Sequence, residues 1–470
     1  LSQNPKKIHI VGGGMAGTEA AWQCLQLGAE VFLYEMRPKV MTDAHQTGDF
    51  AEMVCSNTLK STDPDSAPGL LKNDMRAFGS LILDAAEKSK IPAGGALGVD
   101  RIVFSKIITE TLEHHPRFQR IDREVTNIPS QEELEDRNEC WIIATGPLTS
   151  PALTPALGKL SGDSKRLFFY DAIAPILSAD SLDFDHAFFG NRYDQEADDY
   201  LNLPMNKEEY ENFIDAIIAA EKMPLHEFET TSYFESCLPI EVMVERGRET
   251  PRFGPMKPVG FTDPKTGHRP WAVVQLRREN ASGTMFSMVG FQTKMKWPDQ
   301  KRVFSMLAAM KNAEFLRFGS VHRNTYVHGP AVLNSDLSFK LSSRVFLAGQ
   351  VTGVEGYTES AAIGLLAGRA AMAKVAGKTF VFPPADTILG ALAHYVTKGG
   401  LGDFQPMNAN LGLLPPITKQ KGVSKAERRG KQALLARQSF ENYFADVLTS
   451  SANSAGLSEA PPTNPPSISG

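Results

Sequence analysis

An apolar run, KIHIV at residues 7–11, breaks into three glycines, Gly12 to Gly14, and apolar residues then return at Ala16, Ala20 and Cys24. That spacing places them on one face of a helix. EVFLYE, residues 30–35, is again strand-like, so the order strand, glycine turn, helix, strand predicts a βαβ unit. Two later stretches repeat the switch from apolar strand to glycine turn. ECWIIATGP, residues 139–147, is the first; RVFLAGQVTGVEGYTESAAIGLLAGRAA, residues 344–371, adds an apolar helix of small residues. No apolar run reaches the roughly 18 residues that a membrane-spanning helix requires. The first residues, LSQNPKKIHIVGGG, lack the apolar core and small-residue cleavage site of a signal peptide, so the expected location is the cytoplasm. Residues 449–470, rich in Ser, Pro and Ala, predict a disordered tail.

Gly12, Gly14 and Gly17 form G-x-G-x-x-G in the first βα turn. The first glycine permits the tight turn, the second lets backbone approach a pyrophosphate, and the third lets helix pack on strand. Glu35 closes the second strand, where a carboxylate can accept ribose hydroxyls, and Arg37 follows it. The sequence therefore predicts a dinucleotide site at the N-terminus of a helix. ECWIIATGP, with Gly146, and the 344–371 segment, with Gly349, Gly353, Gly356 and Glu359, resemble the cofactor-flanking segments of the glutathione-reductase superfamily of flavoproteins. This resemblance implies FAD rather than NAD as the bound dinucleotide. The expected fold class is α/β: a discontinuous Rossmann-like FAD-binding domain of glutathione-reductase type, at 1–170 and 331–448, with an inserted mixed α/β domain at 171–330. PAGGALG, residues 92–98, has neither the glycine spacing nor a flanking strand for a second such motif, so NAD(P)H is expected to bind only transiently, over the flavin ring.

Composition changes this picture little: 42% hydrophobic and 22% charged residues in 470 suit an ordinary globular chain. The four cysteines matter more. Cys24, Cys55, Cys140 and Cys237 form no CxxC pair, which argues against a metal site or a redox pair. Cys24 lies on the sheet-facing side of the first helix and Cys140 in a buried-strand pattern; both are expected to pack. Cys55, in FAEMVCSNTL, and Cys237, in FESCLPIE, sit in turn-like polar surroundings, with Ser56 and Asn57 as candidate donors to a Cys55 thiolate. The net charge of −5 does not by itself suggest a nucleic-acid partner. Residues 419–437, KQKGVSKAERRGKQALLAR, carry seven basic residues and one acid, a local stripe suited to phosphates.

Together, GGGMAGTEAAW, YEMRP, AEMVCSN, GGALGVDR, ATGPLTS, FESCLPIE, FGPMKPVG, VVQLRRE, GFQTKMKWPDQKRVF, HRNTY, GVEGYTESAA and FQPMNANLGLLPP resemble the TrmFO family of bacterial folate- and FAD-dependent tRNA (uracil-5-)-methyltransferases. The resemblance runs from residue 7 to about residue 440. It implies methylation of C5 of uridine 54 in the tRNA T loop, with 5,10-methylenetetrahydrofolate as carbon donor and NAD(P)H-reduced FAD as methylene carrier and reductant. It also implies that Cys55 and Cys237 are the reactive thiols, Cys237 as the preferred nucleophile toward C6 and Cys55 as its proton-accepting partner or as a thiol that shields the flavin adduct. Lys257, Arg277, Arg323 and Asn324 become candidate contacts to folate or RNA, and Arg428, Arg429 and Lys431 candidate contacts to tRNA phosphates. Alternatives that share part of this pattern are a GidA/MnmG-like modification of the wobble uridine, a flavin oxidoreductase acting on a small metabolite, and a non-catalytic flavin-containing RNA-binding protein.

Overall fold

Lys7–Val11 and Glu30–Glu35 pair in parallel, and the helix Met15–Gln26 makes the crossover that parallel neighbours require. The structure is a computed structural model. It describes residues 6–42, 44–162, 167–192, 194, 198–223, 238–278, 283–399, 404, 406–417 and 424–455, with backbone alone at 167–173, 320–325, 425 and 448–455.

The first two strands belong to a six-stranded sheet in the order Ser338–Phe339, Ser342–Leu347, Glu139–Ile143, Lys7–Val11, Glu30–Glu35, Phe118–Asp122. Its pairs are parallel except the short hairpin at the Ser338 edge. Strands from both ends of the chain thus share one sheet. On one face, the helices Met15–Gln26 and Tyr357–Val375 approach so closely that a Cβ at Gly364 or Gly368 would overlap the backbone of Ala16 or Ala20. Cys24 and Cys140 are wholly buried in this core, and the Cys24 thiol donates to the Gly368 carbonyl at 3.4 Å. Burial pushes both thiols up, that of Cys140 to about 12, so both remain protonated and inert at neutral pH.

A second six-stranded sheet is antiparallel throughout, in the order Phe188–Phe189, Tyr200–Met205, Ala272–Arg278, Met285–Met288, Ile176–Ser178, Phe315–Arg317. The helix Lys207–Ala219 covers it with Tyr210, Phe213, Ile214 and Ile217, one apolar stripe at helical spacing. Between the two sheets in sequence, Leu167–Ile173 pairs antiparallel with Ser320–Tyr326. A third, three-stranded sheet is built from Thr58–Ser61, Ala96–Val99 and Lys90–Ile91. It corrects one expectation: PAGGALG does have strands at its ends, Lys90–Ile91 just before it and Ala96–Val99 beginning within its last three residues. They are two and four residues long, too short to stand out from the surrounding turn residues.

The C-terminal helix spans Lys425–Ala455. Residues 449–455, expected to be disordered, are therefore helical. TSSANSA has neither proline nor glycine to stop a helix, and the prolines begin only at Pro461. Residues 456–470 lie outside the described residues. No helix among the described residues is long and apolar enough to cross a membrane.

Candidate active site

A cleft runs along the carboxyl ends of the first sheet, past Gly12 to Gly14, Glu35, Gly146, Gln350 and Cys55. Ligands in open α/β sheets bind at this edge. Gly12 has φ +105°, and a Cβ there would strike the Ala144 carbonyl, so only glycine fits. A Cβ at Gly17 would fall on the Gly12 carbonyl oxygen, whereas one at Gly14 meets no atom within 4 Å. Gly17 thus closes helix onto strand, and Gly14 leaves the backbone open toward the cleft. Gly14 is also the N-cap of Met15–Gln26 and offers no side-chain cap; the first amides of the helix remain an anion-binding end.

Glu35 lines the cleft and is almost fully buried. One carboxylate oxygen accepts from the Gly13 amide at 2.9 Å; Arg37 donates to both oxygens at 3.1 Å. Burial would push the Glu35 carboxyl up, but the hydrogen bonds and charge of Arg37 outweigh it and hold it below the usual range. Arg37 also donates to Glu52 at 3.1 Å, tying the end of the second strand to the loop that leads to Cys55. His45, on that loop, also lines the cleft. Burial and then the charge of Arg37 press its pKa down to about 4, so it is neutral near pH 7.

The Cys55 loop is held to the glycine turn. Ala51, at φ +50°, donates its amide to the Gly13 carbonyl at 2.8 Å. At its far end the Tyr357 hydroxyl accepts the amides of Val54, at 2.8 Å, and Cys55, at 2.9 Å, and lies 3.2 Å from the Cys55 sulfur. A phenol oxygen has two lone pairs and one proton. With both lone pairs engaged by amides, the proton is left to point at sulfur, a bond that favours the thiolate. Burial and the nearby Cys55 push the Tyr357 phenol well above its ordinary range, so it keeps that proton at neutral pH. Arg101 donates to the Met53 carbonyl at 2.8 Å, and Arg317 to those of Val54 and Ala44, each at 3.0 Å. Ser56 and Asn57, expected to serve the thiolate, point elsewhere: Asn57 donates to the carbonyls of Val99 and Arg278, and Ser56 contacts Thr58.

Tyr357, Arg101 and Arg317 were missed by sequence reasoning. Tyr357 had a signal, a hydroxyl at the first position of the small-residue helix; the two arginines had none in their local sequence.

The other predicted residues divide. Gly12, Gly14, Glu35, Arg37, Gly146 and Cys55 line the cleft. Gly349, Gly353 and Gly356 all have positive φ but do not line the cleft, which their loop meets through Gln350. Glu359 does not line the cleft; it is fully buried, pairs with Lys60 at 2.6 Å and accepts the Ala409 amide at 3.0 Å. Arg277, a candidate contact to folate or RNA, is a buried residue of the strand Ala272–Arg278 and reaches Ser56 at 3.4 Å. Lys257 is half-buried and gives its carbonyl to Arg192. Arg323 and Asn324 lie on the strand Ser320–Tyr326, whose side chains at 320–325 are outside the described residues, as is Cys237. Arg428, Arg429 and Lys431 lie in the first turns of Lys425–Ala455 and do not reach the cleft; Arg429 and Lys431 are exposed.

A methylenetetrahydrofolate–tRNA-(uracil-5-)-methyltransferase TrmFO from Geobacter sulfurreducens is 50% identical over 441 residues, covering 94% of this chain and 99% of the relative. The protein of the same name from a Ruegeria species is 52% identical over 435 residues, covering 91% and 95%. The chain belongs to the TrmFO family. The family model described as glucose inhibited division protein A, GIDA, matches residues 7–379 and marks the wider group to which this TrmFO-family chain is related. Aquifex aeolicus GidA superposes with a TM-score of 0.66 at 14% identity, covering 96% of this chain and 77% of that one. That likeness shows the shared α/β fold. The GidA-type reading is not favoured, because the TrmFO relatives match nearly end to end at about half identity, whereas GidA extends well beyond this chain.

Proposed function

We infer that the chain is a folate-dependent tRNA (uracil-5-)-methyltransferase that transfers a one-carbon unit from 5,10-methylenetetrahydrofolate to C5 of uridine 54 in the T loop, with NAD(P)H as the source of reducing equivalents. The observation that carries this reading is the placement of the Cys55 thiol, hydrogen-bonded to Tyr357, in the same cleft as a glycine-built dinucleotide cradle. Gly12, Gly14, Gly17 and the helix end at Met15 suit a pyrophosphate, Glu35 suits a ribose, and the cleft continues to Tyr357 at the start of the second helix, a donor set that fits FAD. Bound and reduced FAD would supply the two electrons that take the transferred carbon from methylene to methyl.

Uracil C5 is a weak nucleophile until a thiolate adds to C6 and makes C5 enolate-like. We assign that addition to Cys237. After C5 has bonded to the carbon, Cys55, as a thiolate, accepts the C5 proton while the bond between that carbon and its carrier breaks; hydride-level reducing equivalents turn the resulting exocyclic methylene into methyl, and the Cys237 sulfur departs from C6 as the ring double bond re-forms. Tyr357 orients Cys55 for that transfer. Residues 1–170 and 331–448 would form the FAD-binding part and 171–330 the substrate-binding part, with Lys257, Arg277, Arg323 and Asn324 toward folate or RNA. Arg428, Arg429 and Lys431 would meet tRNA phosphates.

The test uses tRNA lacking T-loop methylation, NAD(P)H and methylenetetrahydrofolate, with nucleoside analysis for 5-methyluridine. Product is expected with wild type and a loss of about 10²–10⁴-fold with Cys55→Ala, while flavin content is unchanged. A 5-fluorouridine tRNA, whose C5 fluorine cannot leave as a proton, should trap wild type and Cys55→Ala covalently but not Cys237→Ala. Trapping that survives Cys237→Ala and vanishes in Cys55→Ala reverses the two thiols. Full methylation by both variants returns them to packing.

A further inference from the structure

The Cys55 loop is gripped from outside the first sheet by a residue to which the proposed chemistry gives no part. Arg317 ends the strand Phe315–Arg317, the edge strand of the second sheet. Its two terminal nitrogens donate to the carbonyls of Val54 and Ala44, both at 3.0 Å. A planar fork that engages two carbonyls ten residues apart in sequence fixes the base of the loop that ends in the thiol. From the other side, Arg101, the first residue of the helix Arg101–Glu113, donates to the Met53 carbonyl at 2.8 Å.

Two half-buried guanidiniums therefore flank one short segment, where like charges repel. Burial, and next the charge of Arg101, draw the Arg317 pKa down; Tyr357, Glu52 and Cys55 act in the opposite direction. Glu52 is already engaged by Arg37 at 3.1 Å and by the amides of Gln46 and Thr47 at 2.9 and 3.1 Å. Tyr357 keeps its proton. The charge of Arg317 and that of Cys55 interact, and a cation near a thiol stabilises its ionised form.

We propose that Arg317 is a positioning residue for Cys55: from the edge of the second sheet it fixes the 44–55 loop and, with Arg101, keeps the thiol ionised and ready to take the C5 proton. The proposal rests on Cys55 acting in methylation. It gives the second sheet control over a thiol that lies beside the first. Among the described residues, Tyr357 from the helix Tyr357–Val375 and Arg317 from the second sheet act on Cys55 itself; Arg101 and Glu52 act on Arg317, and His45 lines the same cleft.

The experiment is alkylation of the flavin-loaded enzyme by iodoacetamide across pH, with the Cys55 peptide quantified by mass spectrometry. Wild type should show a midpoint below the roughly 8.5 of a free thiol. Arg317→Met should raise that midpoint by about one unit or more, slowing modification near neutral pH about tenfold while the limiting rate at high pH is unchanged. The pH profile of 5-methyluridine formation should move in parallel. Arg317→Lys keeps the charge without the fork; it should hold most of the midpoint and lose turnover. An unmoved midpoint in a folded, yellow Arg317→Met protein overturns the proposal. If that variant does not fold, Arg317→Lys with wild-type turnover overturns it instead. Undiminished methylation by Cys55→Ala, measured alongside, removes the role of Cys55 itself whatever Arg317 does to the thiol.

Discussion

The glycine cradle and the Cys55 corner line one cleft and are built in opposite ways. The cradle comes from backbone within a few consecutive residues: Gly12 makes the turn, Gly14 opens it, and Gly17 lies one helical turn on, against Gly12. The corner comes from side chains that meet only after folding. Tyr357 reaches Cys55 across 302 residues of sequence, and Arg317 reaches Val54 and Ala44 across 263 and 273. Backbone geometry tolerates change only where no atom opposes a new side chain, so the cradle should fail position by position. A corner made of single polar contacts should fail in function before it fails in stability.

The largest expected effect lies in the cradle. Gly14→Val places a side chain where no protein atom stands but where a pyrophosphate would approach, so the protein should fold normally and purify without flavin. Gly17→Ala should do the reverse. Its methyl group meets the Gly12 carbonyl, and overpacking of this kind costs about 1–3 kcal/mol, visible as a lower melting temperature. Full flavin occupancy in Gly14→Val, or unchanged melting of Gly17→Ala, breaks the contrast between them.

In the corner, Tyr357→Phe deprives the Val54 and Cys55 amides of their hydroxyl acceptor and the sulfur of its donor. The cost to stability should be about 1–2 kcal/mol, with methylation reduced about tenfold or more and flavin binding retained. Melting curves and nucleoside analysis read the two effects separately; a variant that melts lower yet methylates at the wild-type rate would confine Tyr357 to holding the loop.

Acid should produce the smallest difference, because each side carries one histidine of lowered pKa: His9, in the strand that leads into the cradle, is pressed to about 4 by burial and then Lys7, as His45 is in the corner. The folded-state pKa of His45, about 4, is below the ordinary 6.5, because burial and then Arg37 disfavour its cation. The sign follows: neutral His45 contributes stability that is fully present above about pH 6.5 and lost as pH falls through about 4. Urea midpoints should therefore fall between about pH 7 and about pH 5, and His45→Gln should flatten part of that fall. Amide exchange should quicken first in the 44–55 loop, before the helix Met15–Gln26. Equal acid sensitivity of the loop and the helix would contradict this.

The βαβ start was legible in the sequence because each part depends on neighbours. A strand needs a short apolar run, the turn needs glycine where φ is positive, and the helix needs small residues every third or fourth position to lie on the sheet. Cys24 and Cys140 were readable as packing residues for the same reason, since periodicity fixes a face and the face fixes burial. The Ser342–Leu347 strand and the Tyr357–Val375 helix carried comparable local patterns, so a sheet fed from both ends of the chain could be expected. The short strands around PAGGALG could not, because two to four residues give no period. Nor could the helical stretch at 449–455, where small polar residues suit a helix and a disordered tail equally well.

By itself the sequence determined the cradle, the buried cysteines, the α/β class and, through long family-specific segments, the kinship with TrmFO. Only the tertiary structure decided what surrounds Cys55. Ser56 and Asn57 are its neighbours in the chain, yet their polar groups are drawn to Thr58, Val99 and Arg278, while Tyr357 takes the thiol. Glu359, two residues beyond Tyr357, faces Lys60 instead of the cleft. Arg277, a candidate contact to folate or RNA, lies buried in a central strand. A hydrogen bond forms with whatever donor or acceptor the packed elements bring within about 3 Å, and distance along the chain says nothing about which that will be.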